Sequence, residues 1–130
     1  MLPEERVRHD LINDLTGRLG FPKHLIVIEK EISQLPHLQG KKLPKRRIDL
    51  VCFTQKGDLL HPLLLVECKA IHLSEKVLQQ VLGYNYYVQA DFVAIANGQG
   101  VIMADRMGEG VKDGLLSYRE LVGWSALSGV

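Results

Sequence analysis

The stretch Arg47-Ile48-Asp49-Leu50-Val51-Cys52-Phe53, with the turn Lys56-Gly57-Asp58 and the run Leu63-Leu64-Leu65-Val66-Glu67-Cys68-Lys69, decides the fold of this chain. Both apolar runs have the length and composition of β-strands, and the short Gly-containing turn between them predicts an antiparallel hairpin. The second run is apolar at successive positions, which is typical of a strand covered on both faces. We therefore predict that this hairpin lies in the middle of a sheet.

Charged residues interrupt these strands at Asp49, Glu67 and Lys69. Alternation places Glu67 and Lys69 on one face at the end of the apolar run, so we expect them at a rim of the sheet rather than in its core. The hairpin folds Asp49 back toward Glu67, although the sequence does not fix the register. A charge buried in a strand needs a partner, and a structural ion-pair network is one interpretation of this group.

A bound metal ion is the other interpretation. Two carboxylates, waters and a backbone carbonyl, which we assign to Cys68, suit a hard octahedral cation such as Mg²⁺. We expect Mn²⁺ to be able to substitute for it. Such an ion would serve the cleavage of a phosphodiester, with the Lys69 ammonium orienting the water or stabilising developing charge.

The remaining periodicity predicts helices packed on a mixed sheet. A first helix begins at Pro3, carries an apolar stripe at Val7, Leu11, Leu15 and Leu19, and ends at Gly20. The other expected elements are a strand over 25–32, a loop over 33–43, a helix capped by Ser74, strands over 92–96 and 101–104, and a last helix opened by a Ser117–Glu120 capping box and pinned by Trp124. The order is αβββαββα, an α/β fold.

Composition favours one domain over 1–130, because a chain of 130 residues can bury a core of its own. No apolar run approaches the roughly 20 residues that span a bilayer. The N-terminus is polar and acidic rather than signal-like, so we expect a cytoplasmic protein that does not enter a membrane. The net charge of +1 requires any nucleic acid to meet a local basic patch.

The order of Asp49, Glu67-x-Lys69 and Gln80-x-x-x-Tyr84 resembles the PD-(D/E)XK nuclease superfamily. The closer resemblance is to the N-terminal nuclease domain of type I restriction enzyme R (motor) subunits, and it extends from residue 3 to about 106. The segments that carry it are 3–8, 47–49, 65–70, 80–85 and 96–98.

This resemblance implies a restriction-endonuclease-like mixed β-sheet flanked by helices. It makes Asp49 and Glu67 metal ligands and Lys69 the catalytic lysine, while Gln80 and Tyr84 support the site and its engagement of DNA. Relatives often add an acid from the first helix, for which Glu5 is the candidate, but the helix dipole explains Glu5 equally well. The 130 residues contain no phosphate-binding loop or helicase motor, so neither ATP use nor translocation is implied.

Five cations precede the candidate site, at Lys41, Lys42, Lys45, Arg46 and Arg47. The last three lead directly into Asp49 and are candidates for binding the phosphates of a nucleic acid. A solvated loop is an equally good interpretation, because no aromatic residues are interleaved for base stacking.

The function expected from these residues is Mg²⁺-dependent hydrolysis of DNA phosphodiester bonds. Two alternatives stay open: a non-catalytic DNA-binding or partner-docking module of the same fold, and a nuclease that is active only within a larger complex. We also expect that the protein could form a homodimer or belong to a larger restriction or repair complex. Glu29 is expected on a strand surface, and the tyrosines at 84, 86 and 87 are more often packing residues than stacking platforms.

Overall fold

The computed structural model describes residues 2–127, which form a six-stranded mixed sheet flanked by three α-helices. In chain order the elements are α1 Pro3–Thr16, β1 Ile26–Glu31, β2 Arg47–Lys56, β3 Leu59–Cys68, α2 Glu75–Val88, β4 Phe92–Ala96, β5 Val101–Asp105, β6 Lys112–Asp113 and α3 Tyr118–Leu127. The strands lie side by side in this same order. The predicted α/β fold with a mixed sheet flanked by helices is confirmed.

The hairpin of β2 and β3 lies in the middle of the sheet, as the sequence predicts. Leu50 pairs with Val66 and Val51 with Leu65, and the strands are antiparallel. Gly57 opens the two-residue turn with a φ of 62°, a left-handed conformation that glycine adopts without steric penalty. On its other side β3 pairs with β4 in parallel, and α2 makes the crossover between them.

The sheet is covered on both faces. On one face Leu65 packs with Val81 of α2, and on the other Val66 and Cys68 pack with Leu15 of α1. This alternation follows from the pleat, which sends successive side chains of β3 to opposite faces. Because β3 is covered on both sides, its apolar run is the centre of the core.

Several predicted boundaries are wrong. Helix α1 ends at Thr16 rather than at Gly20, because the chain turns at Gly17 and the N–H of Leu19 reaches back to the carbonyl of Asp14 at 3.0 Å. Short 3₁₀ turns flank β1 at Lys23–Leu25 and Ile32–Gln34 and account for its shorter span.

Two further differences concern the loops and the order of elements. A third 3₁₀ turn, Pro36–Leu38, lies in the segment expected to be loop. The two-residue strand β6 was not expected, so the order is αβββαβββα; this strand is too short to leave a periodic signal.

The two predicted helix starts are confirmed by their capping bonds. Ser74 Oγ accepts the N–H of Val77 at 3.3 Å, and Ser117 and Glu120 exchange both bonds of a capping box, at 3.1 and 3.2 Å.

The expectation that Trp124 pins α3 is wrong, because its side chain is 59% exposed while Leu121 is buried. Leu121 lies in the core cluster that also contains Leu15 of α1, whereas Trp124, three residues later, stays exposed. None of the helices within residues 2–127 is long and apolar enough to cross a membrane.

Candidate active site

The carboxyl groups of Asp49 and Glu67 meet at one end of the hairpin. Continuing the register by one pair beyond Leu50 and Val66 places the two acids opposite each other on β2 and β3. Asp49 Oδ2 accepts the backbone N–H of Cys68 at 2.8 Å, which fixes the carboxylate against the end of β3. Asp49 is half-buried and Glu67 is only 4% exposed.

Burial changes the ionisation of Glu67. Loss of hydration, followed by the negative charge of Asp49 and a hydrogen bond with it, raises the pKa of the Glu67 carboxyl to about 8. The Lys69 ammonium and the backbone N–H of Asp49 act in the opposite direction but do not restore an ordinary pKa. Glu67 Oε1 is buried and has no hydrogen-bond partner. The predicted rim position is therefore wrong for Glu67, because β4 and the helices cover β3 to its last residue.

Lys69 follows β3 and continues its alternation. Its backbone N–H donates to the carbonyl of Ala96 at 2.8 Å, so the chain is held beside β4 at this point. Leu65 faces α2, and alternation therefore turns Glu67 and Lys69 toward the same side. The half-buried Lys69 has no carboxylate within 4.0 Å among residues 2–127, but its charge lowers the pKa of Glu67.

A hard cation fits the acid pair. Asp49 and Glu67 supply carboxylate oxygens, and the partnerless Oε1 of Glu67 is the kind of buried atom that a bound cation satisfies. Within the described residues, no group of three or more His, Cys, Asp and Glu side chains is arranged to hold a metal.

The Cys68 thiol is no ligand for such a cation. It packs in the core on the α1 side, and burial raises its pKa to about 12, so only the backbone carbonyl of Cys68 remains as a third protein ligand. At the start of α1 it is Glu4 rather than Glu5 whose charge acts on this thiol. Glu5 is half-buried, and its side chain makes no hydrogen bond or ion pair with Asp49 or Glu67 within residues 2–127.

Gln80 and Tyr84 lie one turn apart on α2. The side chain of Gln80 is exposed and makes no hydrogen bond in the part of the chain that the structure describes. Tyr84 is half-buried against the core, and its ring centroid lies 4.1 Å from Arg46 Cζ, a cation–π contact. Tyr84 therefore links α2 to the basic segment that precedes β2.

The three basic residues from Lys45 to Arg47 are all exposed, but their surroundings differ. Arg46 stacks on Tyr84, and Arg47 Nη2 lies 3.3 Å from Glu29 Oε1. Lys45 has neither contact among the residues described. The segment is thus a fixed surface at Arg46 and Arg47 rather than an unanchored loop.

Arg8 of α1 is a member of this neighbourhood that the sequence interpretation missed. Its Nη1 lies 3.1 Å from Glu29 Oε1, its side chain is only 17% exposed, and its charge lowers the pKa of the Cys68 thiol. The available signal was helical spacing: Arg8 lies three and seven residues before the buried Leu11 and Leu15, hence on the face of α1 that packs on the sheet.

A second buried polar cluster lies at the opposite end of β3 and β4 and was also missed. His61 Nε2 is 2.8 Å from Asp91 Oδ2, and Ser125 Oγ donates a short hydrogen bond to the same oxygen. Arg106 Nη1 lies 4.0 Å from Asp91 Oδ1. Ser125 and His61 thus share one carboxylate oxygen of Asp91. The cluster ties α3 to the sheet.

Comparison with known proteins identifies the family of this chain. The family model for the N terminus of the type I restriction enzyme R protein matches residues 3–115, which include α1, the hairpin and α2. No curated protein and no solved structure gave a significant match. Since the family model spans most of the chain, the protein belongs to the family of type I restriction enzyme R protein N-terminal domains.

Proposed function

We propose that this protein is a Mg²⁺-dependent nuclease of the PD-(D/E)XK type that hydrolyses phosphodiester bonds in DNA. The observation that carries the proposal is the pairing of Asp49 with a buried Glu67 whose Oε1 has no hydrogen-bond partner. A buried acid pair without a cation is unfavourable, and the N-terminal domain of a restriction enzyme is where a nuclease site is to be expected.

Asp49, Glu67 and the backbone carbonyl of Cys68 are the residues that would hold Mg²⁺ or Mn²⁺. Bound there, the ion supplies a water of lowered pKa and positive charge for the phosphate oxygens. Cys68 also fixes the site through its N–H, which keeps Asp49 Oδ2 directed at the end of β3. A pKa of about 8 leaves the Glu67 carboxyl largely protonated at neutral pH. To act as a metal ligand it would therefore have to give up its proton.

Lys69 is the proposed catalytic lysine. Its ammonium stands on the side of the sheet to which Glu67 points, where it orients the attacking water or stabilises negative charge that develops on the phosphate. Gln80 and Tyr84 act from α2, Tyr84 by holding Arg46 in place. Lys45, Arg46 and Arg47 bind backbone phosphates, a mode that gives affinity without sequence preference.

DNA is the proposed partner, and a larger restriction complex is the proposed setting, since the family is named for a subunit of such an enzyme. The rival function is a DNA-binding or docking module that does not cleave. The absence of a carboxylate within 4.0 Å of Lys69, among the residues that the structure describes, leaves room for this rival. A nuclease competent only inside the complex would cleave after co-purification with its partners and not alone.

A cleavage assay separates these possibilities. Wild-type protein should cut supercoiled DNA with Mn²⁺ or Mg²⁺, and Lys69→Ala should lose the cut while still binding metal. Lys56→Ala is the matched control, because Lys56 is an exposed lysine at the opposite end of the same hairpin. Equal cleavage by Lys69→Ala would overturn the mechanism, and DNA binding that ignores metal and Asp49→Asn would favour the rival.

A further inference from the structure

Glu29 has an unusual backbone for a residue within a strand. Its φ is 52°, in the left-handed region that residues other than glycine rarely adopt. The flanking pairs, Ile28 with Leu50 and Lys30 with Ile48, place Glu29 opposite Asp49 on β2. Such strain persists where the surroundings enforce it, and it concentrates at functional sites.

The carboxylate of Glu29 holds two guanidinium groups on one oxygen. Arg8 Nη1 lies 3.1 Å and Arg47 Nη2 lies 3.3 Å from Glu29 Oε1. Neither arginine has another ion pair within residues 2–127. Each guanidinium carries five N–H groups, so most donors of the pair remain available after Glu29 is bound.

The two arginines come from different elements of the fold. Arg47 lies two residues before Asp49 on β2, whereas Arg8 belongs to α1, and its charge lowers the pKa of the Cys68 thiol. Cys68 in turn donates its N–H to Asp49. Two guanidinium groups thus converge on Glu29, the residue opposite Asp49, and one of them is only 17% exposed.

We propose that Arg8 and Arg47 form a phosphate-binding pair for the DNA backbone, and that Glu29 is the positioning residue that holds them. The ligand rests on the proposed function, and the new member of the pair is Arg8 of α1, which joins Arg47 of the exposed basic segment. The guanidinium fork matches two phosphate oxygens at once, which a lysine does not do. Held on Glu29, which lies opposite Asp49, the pair fixes the strand that is to be cut.

A purely structural ion pair is a weaker explanation of the same contacts. Glu29 and Arg47 are 39% and 64% exposed, and ion pairs with that exposure contribute little to stability. They would not by themselves offset a left-handed backbone at Glu29. If Glu29 orients Arg8 and Arg47 toward a DNA phosphate, that role accounts both for its left-handed backbone and for the sharing of its Oε1 by the two arginines.

The test is DNA binding in EDTA, which removes cleavage from the measurement. Fluorescence anisotropy with a labelled duplex, repeated over a range of KCl concentrations, gives affinity and its salt dependence. Arg8→Met and Arg47→Met should each weaken binding about tenfold and lower the slope of log affinity against log salt by about one. Arg18→Met is the matched control, because it removes an exposed arginine that follows α1 and that, among residues 2–127, forms an ion pair with Asp14 alone.

The positioning role is tested by a double-mutant cycle. In a Glu29→Gln background, the loss of DNA affinity caused by Arg8→Met or by Arg47→Met should be at least about threefold smaller than in the wild-type background, because the arginines are no longer oriented. Methionine retains the apolar stem of arginine, and melting curves check that each variant is folded.

Three outcomes would overturn the proposal: no DNA binding by wild type, an effect of Arg8→Met no larger than that of Arg18→Met, and full additivity with Glu29→Gln. Failure of metal binding at Asp49 and Glu67 would instead overturn the proposed function and leave this result standing.

Discussion

Asp49 and Glu67 lie opposite each other on neighbouring strands, and the N–H of Cys68 holds Asp49 Oδ2 at 2.8 Å while Glu67 Oε1 has no partner. One carboxyl is therefore held in place by a backbone N–H, and the other is buried with its pKa raised to about 8. The acid pair is unfavourable without a cation and complementary to one. Its effects on stability and on metal binding can therefore be measured without a nucleic-acid substrate.

The stability of the metal-free protein should depend on Glu67. Its pKa rises from an ordinary 4.5 to about 8 on folding, so its contribution is greatest below pH 4.5 and is lost as the pH rises to about 8. Glu67→Gln has no charge to bury and should be more stable than wild type at pH 8, by about 1–3 kcal/mol. Urea denaturation measures the difference. The exposed Glu109→Gln is the control, and a wild-type stability that rises between pH 5 and 8 relative to Glu67→Gln would contradict the expectation.

Metal binding at neutral pH should release a proton from Glu67. Because the carboxyl is largely protonated at pH 7, we expect about one proton released per Mn²⁺ and an apparent affinity that rises up to about pH 8. Calorimetry in buffers of different ionisation enthalpy counts the protons. Binding without proton release at pH 7 would show that Glu67 is already ionised or is not a ligand.

The contact of Arg46 with Tyr84 should matter for DNA binding through the ring and not the hydroxyl. Tyr84→Phe keeps the face under Arg46 and should bind DNA as wild type does, whereas Tyr84→Leu should weaken binding about threefold. Anisotropy titrations compare them with Tyr86→Leu, which removes a more exposed ring of the same helix. Equal effects of Tyr84→Phe and Tyr84→Leu would assign the role to the hydroxyl instead.

Replacement of Asp91 should lower the stability of the protein without changing its metal affinity. Asp91 is 5% exposed, binds His61 and Ser125, and lies at the opposite end of β3 and β4 from the acid pair. Asp91→Ala should lower the free energy of unfolding by about 3 kcal/mol and leave metal affinity unchanged. Denaturation with a parallel metal titration checks both, with the exposed turn variant Asp58→Ala as control. A loss of metal affinity in a folded Asp91→Ala protein would contradict the separation of the two ends.

Local signals made the hairpin and two helix starts predictable. The turn at Gly57 and the caps at Ser74 and Ser117 act within a few residues, so the sequence contains all the partners. The end of α1 was missed because Leu19 continues the apolar spacing, yet it reaches the core from a turn after Gly17.

The candidate site was predictable only in part. The identities of Asp49, Glu67 and Lys69 follow from their pattern, and the structure brings the first two together. The burial of Glu67 depends on β4 and the helices that cover β3, which periodicity in one strand does not reveal. The contact of Arg8 with Glu29 joins α1 to β1, so it depends on tertiary packing.

The most direct measurement of the central claim is calorimetric titration of Mn²⁺ and Mg²⁺ into wild type, Asp49→Asn and Glu67→Gln, each with and without duplex DNA. We expect wild type to bind metal and both variants to lose binding while remaining folded. Undiminished binding by both variants, or no binding by wild type even with DNA present, would contradict a metal centre at Asp49 and Glu67.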